Sequence, residues 1–427
     1  MSTHLTDLLE GDPTVQKVLL IEADVSAGED ILTAAAELGV EAHVATHEDV
    51  FRFYRPELKA KISGTVFTDF ADPQTALDDL ARFCRETGID GIVACWEFLS
   101  PLATRLADRL GLPGHRPELA DACRNKRLMA EVFAAHGVPA PRTVVARDPG
   151  ELARRVAASG LGFPLVVKPA ENAASIGVSV VRSAAELPEA ARLAQSQTHK
   201  TSHGLALDIA LLAQEHVDGD EFSVESVIFD GEIHHLTITE KLTTGGTSRA
   251  ELGHTVPADT APAVGAALYA AATAAIRALG LRNGVAHTEV KVSSGGAPKV
   301  IEVGARPPGD HIMRLVREAL GIDEARACLQ TVLGRRPDVA PRRRAAAAIR
   351  FITAPGAGVL RWTSALPCGD HVIATAMSKM PGDEVGGPYD NMGRIGQIML
   401  RGATAAEVNK VAAEAMEAIT VEMVTQW

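Results

Sequence analysis

Two glutamates, Glu289 and Glu302, have the spacing in this 427-residue sequence that most directly suggests chemistry. They flank a turn signal, "SSGG" at 293–296, which lies between two runs rich in β-branched residues and predicts a β-hairpin. Antiparallel pairing about that turn brings the two carboxylates close together. Like charges so placed destabilise a sheet unless a cation lies between them. All-oxygen ligands favour Mg²⁺ or Mn²⁺; the alternative is a pair of edge-strand glutamates that point into solvent.

Two lysines are candidates for binding phosphate. Lys168 ends the apolar run "PLVVK" and precedes a small-residue loop, "ENAASIGVSVV" at 171–181. An ammonium at a strand end, helped by loop amides, could hold a phosphate group. The alternative is an ordinary turn beside a lysine that reaches solvent. Lys126, in "RNKRLM", is by itself typical of the surface of a helix.

Three further segments carry groups that could bind small molecules. The backbone of 214–217, in "QEHVDGDEFSVE", could contact an adenine edge, and Glu221 could accept ribose hydroxyls, although read alone the segment is a hairpin. Glu251 and His254 place a carboxylate and an imidazole in one loop, where a lone histidine is usually structural. Arg306, in "EVGARPPG", could clamp a carboxylate or a developing oxyanion.

The elements that must position these residues follow from the hydrophobic pattern. Over the first hundred residues strands alternate with helices, which predicts a parallel sheet. The turn between the first strand and the first helix has a single glycine, so we expect no glycine-rich dinucleotide-binding motif there. From 211 to 240 two Asp-Gly turns predict an antiparallel meander of strands. A long helix is predicted over 261–280, and another near the end begins at a Thr cap.

Length, charge and cysteine content limit the possible functions. A chain this long forms two to four packed units. Its net charge of −12 and 4% aromatic residues argue against a nucleic-acid partner. Five scattered cysteines without CxxC spacing fit a reducing compartment and neither disulfides nor a zinc site. No signal peptide or membrane span is recognisable, so we expect a cytoplasmic protein that does not bind a membrane.

In their order along the chain these motifs resemble the ATP-grasp superfamily, and most closely the L-amino acid ligases, which are dipeptide-forming carboxylate–amine ligases. The resemblance covers essentially the whole sequence. It implies an α/β fold (α+β lobes) in which an N-terminal parallel-sheet domain precedes a mobile lid over antiparallel sheets. The implied domains are residues 1–116, then linker helices and lid over 117–213, then the large lobe with a C-terminal subdomain over 214–427.

The resemblance also implies the ligands, which are ATP and two Mg²⁺ (or Mn²⁺) ions. In this sequence the metal ligands would be Glu289 and Glu302. Many relatives carry an asparagine two residues after the second glutamate, where this chain has Gly304, so a third protein ligand is in question. The implied nucleotide-binding residues are Lys126, Lys168, Ser175, Gln214, Glu215, Val217 and Glu221.

The subgroup resemblance places an amino-acid pocket at Glu97, Glu251, His254 and Arg306, the last three as catalytic residues. The implied reaction converts a carboxylate and ATP into an acyl phosphate, which an amine, such as that of a second amino acid, then attacks. A homodimer is common among relatives. Two alternatives stay open: an ATP-grasp enzyme that activates bicarbonate or formate, and a non-catalytic nucleotide-binding relative.

Overall fold

The N-terminal part of the chain is a parallel sheet with helices on both faces, as the alternating pattern predicts. The computed structural model describes residues 15–200, 203–245 and 249–424. The sheet order is β3-β2-β1-β4, with all pairs parallel. Its elements are β1 Lys17–Ile21, α1 Ser26–Leu38, β2 Glu41–Thr46, α2 Glu48–Phe51, α3 Pro56–Lys59, β3 Gly64–Phe67, α4 Pro73–Thr87, β4 Gly91–Ala94 and α5 Ser100–Leu110.

A second, antiparallel sheet follows in the lobe that is predicted to be the lid, and we call it the lid sheet. Its order is β5-β10-β6-β7, and helices α7 and α8 pack their apolar residues against one face. The lobe's elements, with the helix that leads into it, are α6 Lys126–His136, β5 Thr143–Ala146, α7 Pro149–Ser159, β6 Leu165–Pro169, β7 Ser179–Val181, α8 Leu187–Ala194, β8 His199–Lys200, β9 Leu205–Ala206 and β10 Leu211–Glu215.

The largest sheet is antiparallel, in the order β15-β14-β11-β12-β13-β16-β20-β18. It includes the predicted glutamate hairpin as β14 and β15. The elements from here on are β11 Asp220–Phe229, β12 Glu232–Thr243, β13 Glu251–Val256, α9 Pro262–Ala278, β14 Gly284–Val292, β15 Pro298–Gly304, α10 Ile312–Leu320, α11 Glu324–Val332, β16 Ala346–Thr353, β17 Gly358–Thr363, β18 Val372–Met377, β19 Glu384–Val385, β20 Arg394–Gly402, α12 Ala405–Glu417 and β21 Val421–Val424.

The predicted meander over 211–240 is wrong in its first half. β11 and β12 form the expected hairpin at the second Asp-Gly turn. β10, however, pairs with β5 and β6 of the lid sheet rather than with β11. At the first Asp-Gly turn, Gly219 has φ 90°, and a Cβ there would lie 2.1 Å from the carbonyl oxygen of Val292. The glycine therefore lets the chain pass close to β14 and cross from one sheet to the other.

The two faces of the large sheet differ in polarity because its strands alternate. Phe222, Val224 and Val290 point to one face, where they pack against the alanine-rich side of α9 in a buried cluster. The residues between them are polar and point to the opposite face, towards the lid.

The C-terminal helix α12 begins at the predicted cap, where the Thr404 hydroxyl accepts a hydrogen bond from the Glu407 N–H. In the described parts of the chain, every helix is too short or too polar to cross a bilayer.

Candidate active site

A cavity of about 340 Å³ is lined by residues of the lid sheet, the polar face of the large sheet and the end of the N-terminal sheet. The structure brings every residue singled out from the sequence to this one cavity, although they are spread over more than two hundred positions. They are Glu97, Lys126, Lys168, Ser175, Gln214, Glu215, Val217, Glu221, Glu251, His254, Glu289, Glu302 and Arg306.

Glu289 and Glu302 are direct partners across the β14–β15 hairpin. The pairing is regular near the turn, and it shifts by one residue where Ile301 is inserted on β15. Such a bulge re-aims the side chains that follow it. Without the inserted residue, Glu289 would face Ile301, so the bulge is what sets the two carboxylates opposite each other at the cavity floor.

The two predicted phosphate lysines meet these carboxylates from the other side. Lys126 Nζ lies 2.9 Å from Glu302 Oε1 and donates to the carbonyl of Asn172, also at 2.9 Å. Lys168, on β6, is 4% exposed. Burial lowers the pKa of the Lys168 ammonium to about 8, against the opposing effect of Glu302. Burial likewise raises the pKa of the Glu302 carboxyl to about 7, although Lys126 opposes this. The Lys168 ammonium and the Glu302 carboxylate therefore each have too little opposite charge nearby to offset the cost of burial.

Sequence reasoning missed Lys241, which lies at the centre of the site. Its ammonium is 2.6 Å from Glu289 Oε1, 2.8 Å from Glu251 Oε1 and 3.4 Å from Glu221 Oε1. Burial alone would lower the pKa of Lys241, but Glu251 and Glu289 outweigh it and raise that pKa well above its ordinary value. Lys241 is therefore a permanent buried cation shared by three carboxylates.

A signal for Lys241 was present in the strand register. On β11 the polar residues Glu221, Ser223 and Glu225 alternate with apolar ones, and on β12 Thr237, Thr239 and Lys241 occupy every second position. Neighbouring strands of an antiparallel sheet put residues of one row on one face. The row formed by Lys291, Glu221, Lys241 and His254 crosses β14, β11, β12 and β13.

The far end of the cavity carries Glu251 and His254, whose separation of three would place them on opposite faces of a regular strand. An extra residue at Leu252 breaks the β12–β13 pairing and restores both side chains to the cavity face. His254 Nε2 lies 2.9 Å from Asp310 Oδ2. Its Nδ1 is buried and has no hydrogen-bond partner among the described residues. In the neutral ring the hydrogen is on Nε2, since Asp310 is an acceptor, and Nδ1 keeps its lone pair.

Both oxygens of the Glu251 carboxylate are contacted, by three partners that were not recognised in the sequence, and Oε1, which has one of them, can accept one further hydrogen bond. Lys241 is on Oε1, while Arg394 and Asn391 donate to Oε2 at 3.0 and 2.8 Å. Arg394 also donates to Asp310 at 2.8 Å, and its guanidinium lies 3.6 Å from the Phe351 ring centre. Burial raises the pKa of the Glu251 carboxyl, but Lys241 and the other nearby cations outweigh it and hold that pKa well below its ordinary value.

Arg306 and Glu97 form an ion pair at the junction with the N-terminal domain. Arg306 donates to Glu97 Oε2 at 2.6 Å and to the Pro307 carbonyl at 2.9 Å. Although burial opposes ionisation, Arg306 and Lys126 lower the pKa of Glu97 to about 2. The pair brings a fixed guanidinium to the cavity wall from the residue just after β15.

The predicted nucleotide segments lie at the lid end. The side chain of Gln214 donates through Nε2 to the Thr143 hydroxyl at 2.9 Å. Gln214 and Glu215, at the end of β10, line the cavity. Glu221, which is predicted to meet ribose, lies close to two lysines, Lys241 and Lys291. In the small-residue loop, Ser175 has φ 60° and its hydroxyl donates to the Arg249 carbonyl at 2.8 Å.

Two groups of side chains could hold a metal ion. Glu251, His254 and Asp310 have ligand atoms within 4.8 Å of one another. However, Lys241, Arg394 and Asn391 already contact the oxygens of these carboxylates, which disfavours a divalent metal ion there because it needs several free ligand atoms.

Glu302 has one ion-pair contact, with Lys126, whereas Glu289 Oε1 has two, with Lys241 and His287, and both carboxylates line the cavity. Burial raises the pKa of the Glu302 carboxyl, but for Glu289 the cations Lys241 and His287 outweigh burial and hold the pKa well below its ordinary value. Glu302 is therefore the member of the pair that lacks compensating positive charge, which a divalent ion would supply.

Gly304 supplies no third ligand, as the sequence indicated. A Cβ at this position would be 3.7 Å from atoms of the Arg306 side chain, so there is room for a larger residue. The guanidinium of Arg306 covers this side of the site instead.

Comparisons with known proteins agree with this geometry. The ATP-grasp N-terminal domain family matches residues 32–114, the ATP-grasp domain family matches 161–314, and the L-amino acid ligase C-terminal domain 2 family matches 350–424. The crystal structure of an L-amino acid ligase from Bacillus licheniformis superposes with a TM-score of 0.82, at 24% identity, over 96% of this chain and 99% of that one. That likeness establishes the fold.

Two curated relatives are similar over part of their length. Carnosine synthase 1 of Homo sapiens is 26% identical over 350 residues, which are 79% of this chain and 42% of that protein. Alanine--anticapsin ligase of Bacillus subtilis (strain 168) is 25% identical over 277 residues, 61% of this chain and 57% of that protein. This chain thus spans about half the length of these two relatives. The chain therefore contains, in this order, the N-terminal domain and the ATP-grasp domain of ATP-grasp proteins and the C-terminal domain 2 of the L-amino acid ligases.

Proposed function

We propose that this chain joins the carboxylate of one amino acid to an amine, in the simplest case the amino group of a second amino acid, while ATP is converted into ADP and phosphate. The observation that carries the proposal is the layout of one cavity. Buried lysines and the opposed Glu289–Glu302 pair line this cavity together with Arg306, Glu251 and His254. The similarity to two amide-forming ligases supports it.

The first step activates the substrate carboxylate, which is a poor electrophile. Its oxygen attacks the γ-phosphorus of ATP, ADP leaves, and an acyl phosphate forms. Lys126 and Lys168 are positioned to hold the phosphate oxygens and stabilise the charge that develops on them. When bound at Glu289 and Glu302, Mg²⁺ would neutralise and orient the triphosphate.

Arg306 would hold the reacting carboxylate and then the oxyanion of the tetrahedral intermediate. Its bond to Glu97 leaves the guanidinium with a fixed orientation before the substrate arrives. Preorganised donors of this kind stabilise a transition state because they need not reorient during the reaction. Glu97 thus serves the reaction through Arg306 and also lines the pocket that would take an amino acid.

The second step needs a free amine, so the incoming ammonium must lose a proton. Glu251 is a poor base because its pKa lies well below the ordinary range, and it is better suited to binding an ammonium. His254, which lines the cavity, is the other candidate acceptor; its Nδ1 has no hydrogen-bond partner among the described residues, but it is buried, so the ring would have to turn to meet the amine. The amine then attacks the acyl phosphate, and phosphate leaves as the amide forms.

The decisive experiment is phosphate release from Mg²⁺–ATP across pairwise amino-acid mixtures, with mass spectrometry of the products. We expect ADP, phosphate and a dipeptide only where two compatible amino acids are present. Formation of AMP would contradict the acyl-phosphate route. Phosphate release that needs bicarbonate or formate and ignores amino acids would indicate the carboxylase type instead. No turnover with any of these substrates would favour a nucleotide-binding protein without catalysis.

A further inference from the structure

A loop of the C-terminal part, residues 386–393 ("GGPYDNMG"), reaches the amino-acid end of the cavity through Asn391. The Asn391 amide makes two hydrogen bonds with Glu251. Its Nδ2 donates to Oε2 at 2.8 Å, and its Oδ1 accepts from the Glu251 backbone N–H at 2.9 Å. Both ends of the amide are thus used on one residue, and the carboxylate and backbone of Glu251 are held together.

The backbone of Asn391 makes a contact in another direction. Its N–H donates to the carbonyl of Ala174, at 3.3 Å, in the small-residue loop that follows Lys168. Ala174 and Ser175 have φ of 58° and 60°, a left-handed conformation that costs free energy for residues other than glycine. Such a turn persists only where its surroundings hold it. The contact from Asn391 is one of these, and the bond from Ser175 to the Arg249 carbonyl is another.

The 386–393 loop is built to fix the position of Asn391. Asp390 caps the turn, since its Oδ1 accepts from the Met392 N–H at 2.8 Å. The loop's two ends touch at glycine, because a Cβ on Gly393 would lie 2.5 Å from the Gly387 carbonyl oxygen. A larger residue at that position would force the ends apart. The loop therefore holds Asn391 between Glu251 and Ala174 through its own geometry.

We propose that Asn391 is a positioning residue that couples occupancy of the amino-acid pocket to closure of the 172–177 loop over the nucleotide. The inference rests on the proposed ligase function and adds a control step to it. A substrate ammonium on Glu251 restrains that carboxylate, the amide of Asn391 is restrained with it, and its N–H then holds Ala174 in place. Loop closure excludes water from a reactive acyl phosphate. This linkage would favour closure when an amino acid is present.

The test compares Asn391→Ala and Asn391→Leu with a matched control, Met392→Ala, on the same loop, where Met392 is 65% exposed. Phosphate release is measured with ATP alone and with the amino-acid pair on which the wild type is most active. We expect the ratio of the two rates to fall about tenfold or more in both Asn391 variants, as the loss of a hydrogen bond to a charged group implies. The control should keep the wild-type ratio.

The leucine variant separates hydrogen bonding from shape. Leucine has about the size of asparagine but carries no charge and cannot donate to Glu251, so a merely structural role would leave the Asn391→Leu enzyme close to wild type. Wild-type ratios in both Asn391 variants would overturn the inference while leaving the proposed function intact.

A second readout does not depend on turnover. Hydrogen–deuterium exchange of peptides covering 172–177 is compared in the presence of Mg²⁺ and the non-hydrolysable analogue AMP-PNP. Faster exchange in Asn391→Ala than in wild type supports the linkage. Equal exchange overturns it, even if no amino-acid pair is turned over, whereas a wild type without phosphate release contradicts the proposed function.

Discussion

The ammonium of Lys241 lies 2.6 Å from Oε1 of Glu289, the carboxylate that we expect to bind metal. The same ammonium is 2.8 Å from Glu251 at the amino-acid end of the cavity and 3.4 Å from Glu221 at the lid end. One buried cation therefore joins the three parts of the site. Any change in the charge of one carboxylate is felt by the other two through Lys241.

Replacing Lys241 with methionine keeps the volume but leaves three carboxylates without their shared cation. Removal of one partner from a buried ion pair costs about 3–5 kcal/mol. We expect the free energy of unfolding to fall by that order and to recover in part when Mg²⁺ is added, since the metal replaces the missing charge. Thermal and urea unfolding with and without Mg²⁺ would measure both effects. The control is Lys410→Met, on the exposed face of α12. Equal stability of Lys241→Met and Lys410→Met would contradict the stabilising role of Lys241.

Glu289→Gln and Glu302→Gln should each reduce turnover about a hundredfold or more while the fold survives. Glutamine keeps the shape of the side chain but is a poor ligand for Mg²⁺. The Glu302→Gln substitution should leave the stability of the fold nearly unchanged, because the Glu302 carboxyl has a pKa of about 7 and is already partly neutral at that pH. Phosphate release across a Mg²⁺ titration, with circular dichroism as the check on folding, tests this. Full activity in either variant would contradict metal ligation, and the exposed Glu232→Gln serves as control.

The glutamate hairpin was predictable because its evidence is local, a glycine-rich turn between strand-like runs. The bulges at Ile301 and Leu252 were not predictable, since an inserted residue is favoured by the neighbouring strands rather than by its own sequence. They decide which side chains reach the cavity. The sequence therefore identified the carboxylates and the histidine of the site but not the geometry that brings them together.

Residues from the C-terminal strands were missed for a different reason. Arg394 and Asn391 contact Glu251 although they lie about 140 positions away in the sequence. Their part in the site depends on β16 pairing with both β13 and β20, which no local pattern reveals. The pairing of β10 with the lid sheet was misjudged in the same way, because an Asp-Gly turn favours a hairpin wherever both strands are free to form one.

Nucleotide affinity should weaken as pH rises through about 8, the pKa of Lys168. Burial lowers this pKa below that of an ordinary lysine, so the free enzyme loses the proton in this range, and the neutral amine no longer attracts phosphate. Above the pKa the dissociation constant for Mg²⁺-free ADP should rise up to tenfold per pH unit. Equilibrium binding from about pH 7 to about pH 9.5 measures it. The arginine of the Lys168→Arg variant stays charged over this whole pH range. If the nucleotide affinity of that variant falls with pH in the same way, a group other than Lys168 causes the pH dependence.

His254→Ala and Glu97→Ala should change which amino acids are used more than they change ATP binding. His254 touches Asp310, and Glu97 orients Arg306, so both act at the amino-acid end of the cavity. The ratio of kcat/KM values across an amino-acid panel should shift about tenfold, while KM for ATP changes about twofold or less. Unchanged selectivity in both variants would remove these residues from the pocket.

Outside the cavity, Glu22→Gln should destabilise the N-terminal domain in a pH-dependent way. Glu22 is buried at the end of β1, where its carboxylate accepts hydrogen bonds from the Tyr54 and Thr46 hydroxyls and lies 2.7 Å from His203 Nε2. Burial opposes ionisation, but His203 and the hydrogen bonds outweigh it and lower the pKa to about 2.

Because the folded-state pKa of Glu22 is depressed, its ionised form contributes stability above the ordinary pKa of 4.5 and loses that contribution as pH falls towards 2. The difference in unfolding free energy between wild type and Glu22→Gln should be about 3 kcal/mol near neutral pH and should shrink over that acid window. Urea unfolding at a series of pH values measures this difference. The exposed Glu189→Gln should show no comparable loss, and a difference for Glu22→Gln that stays constant down to acid pH would show that the ionised carboxylate is not the cause.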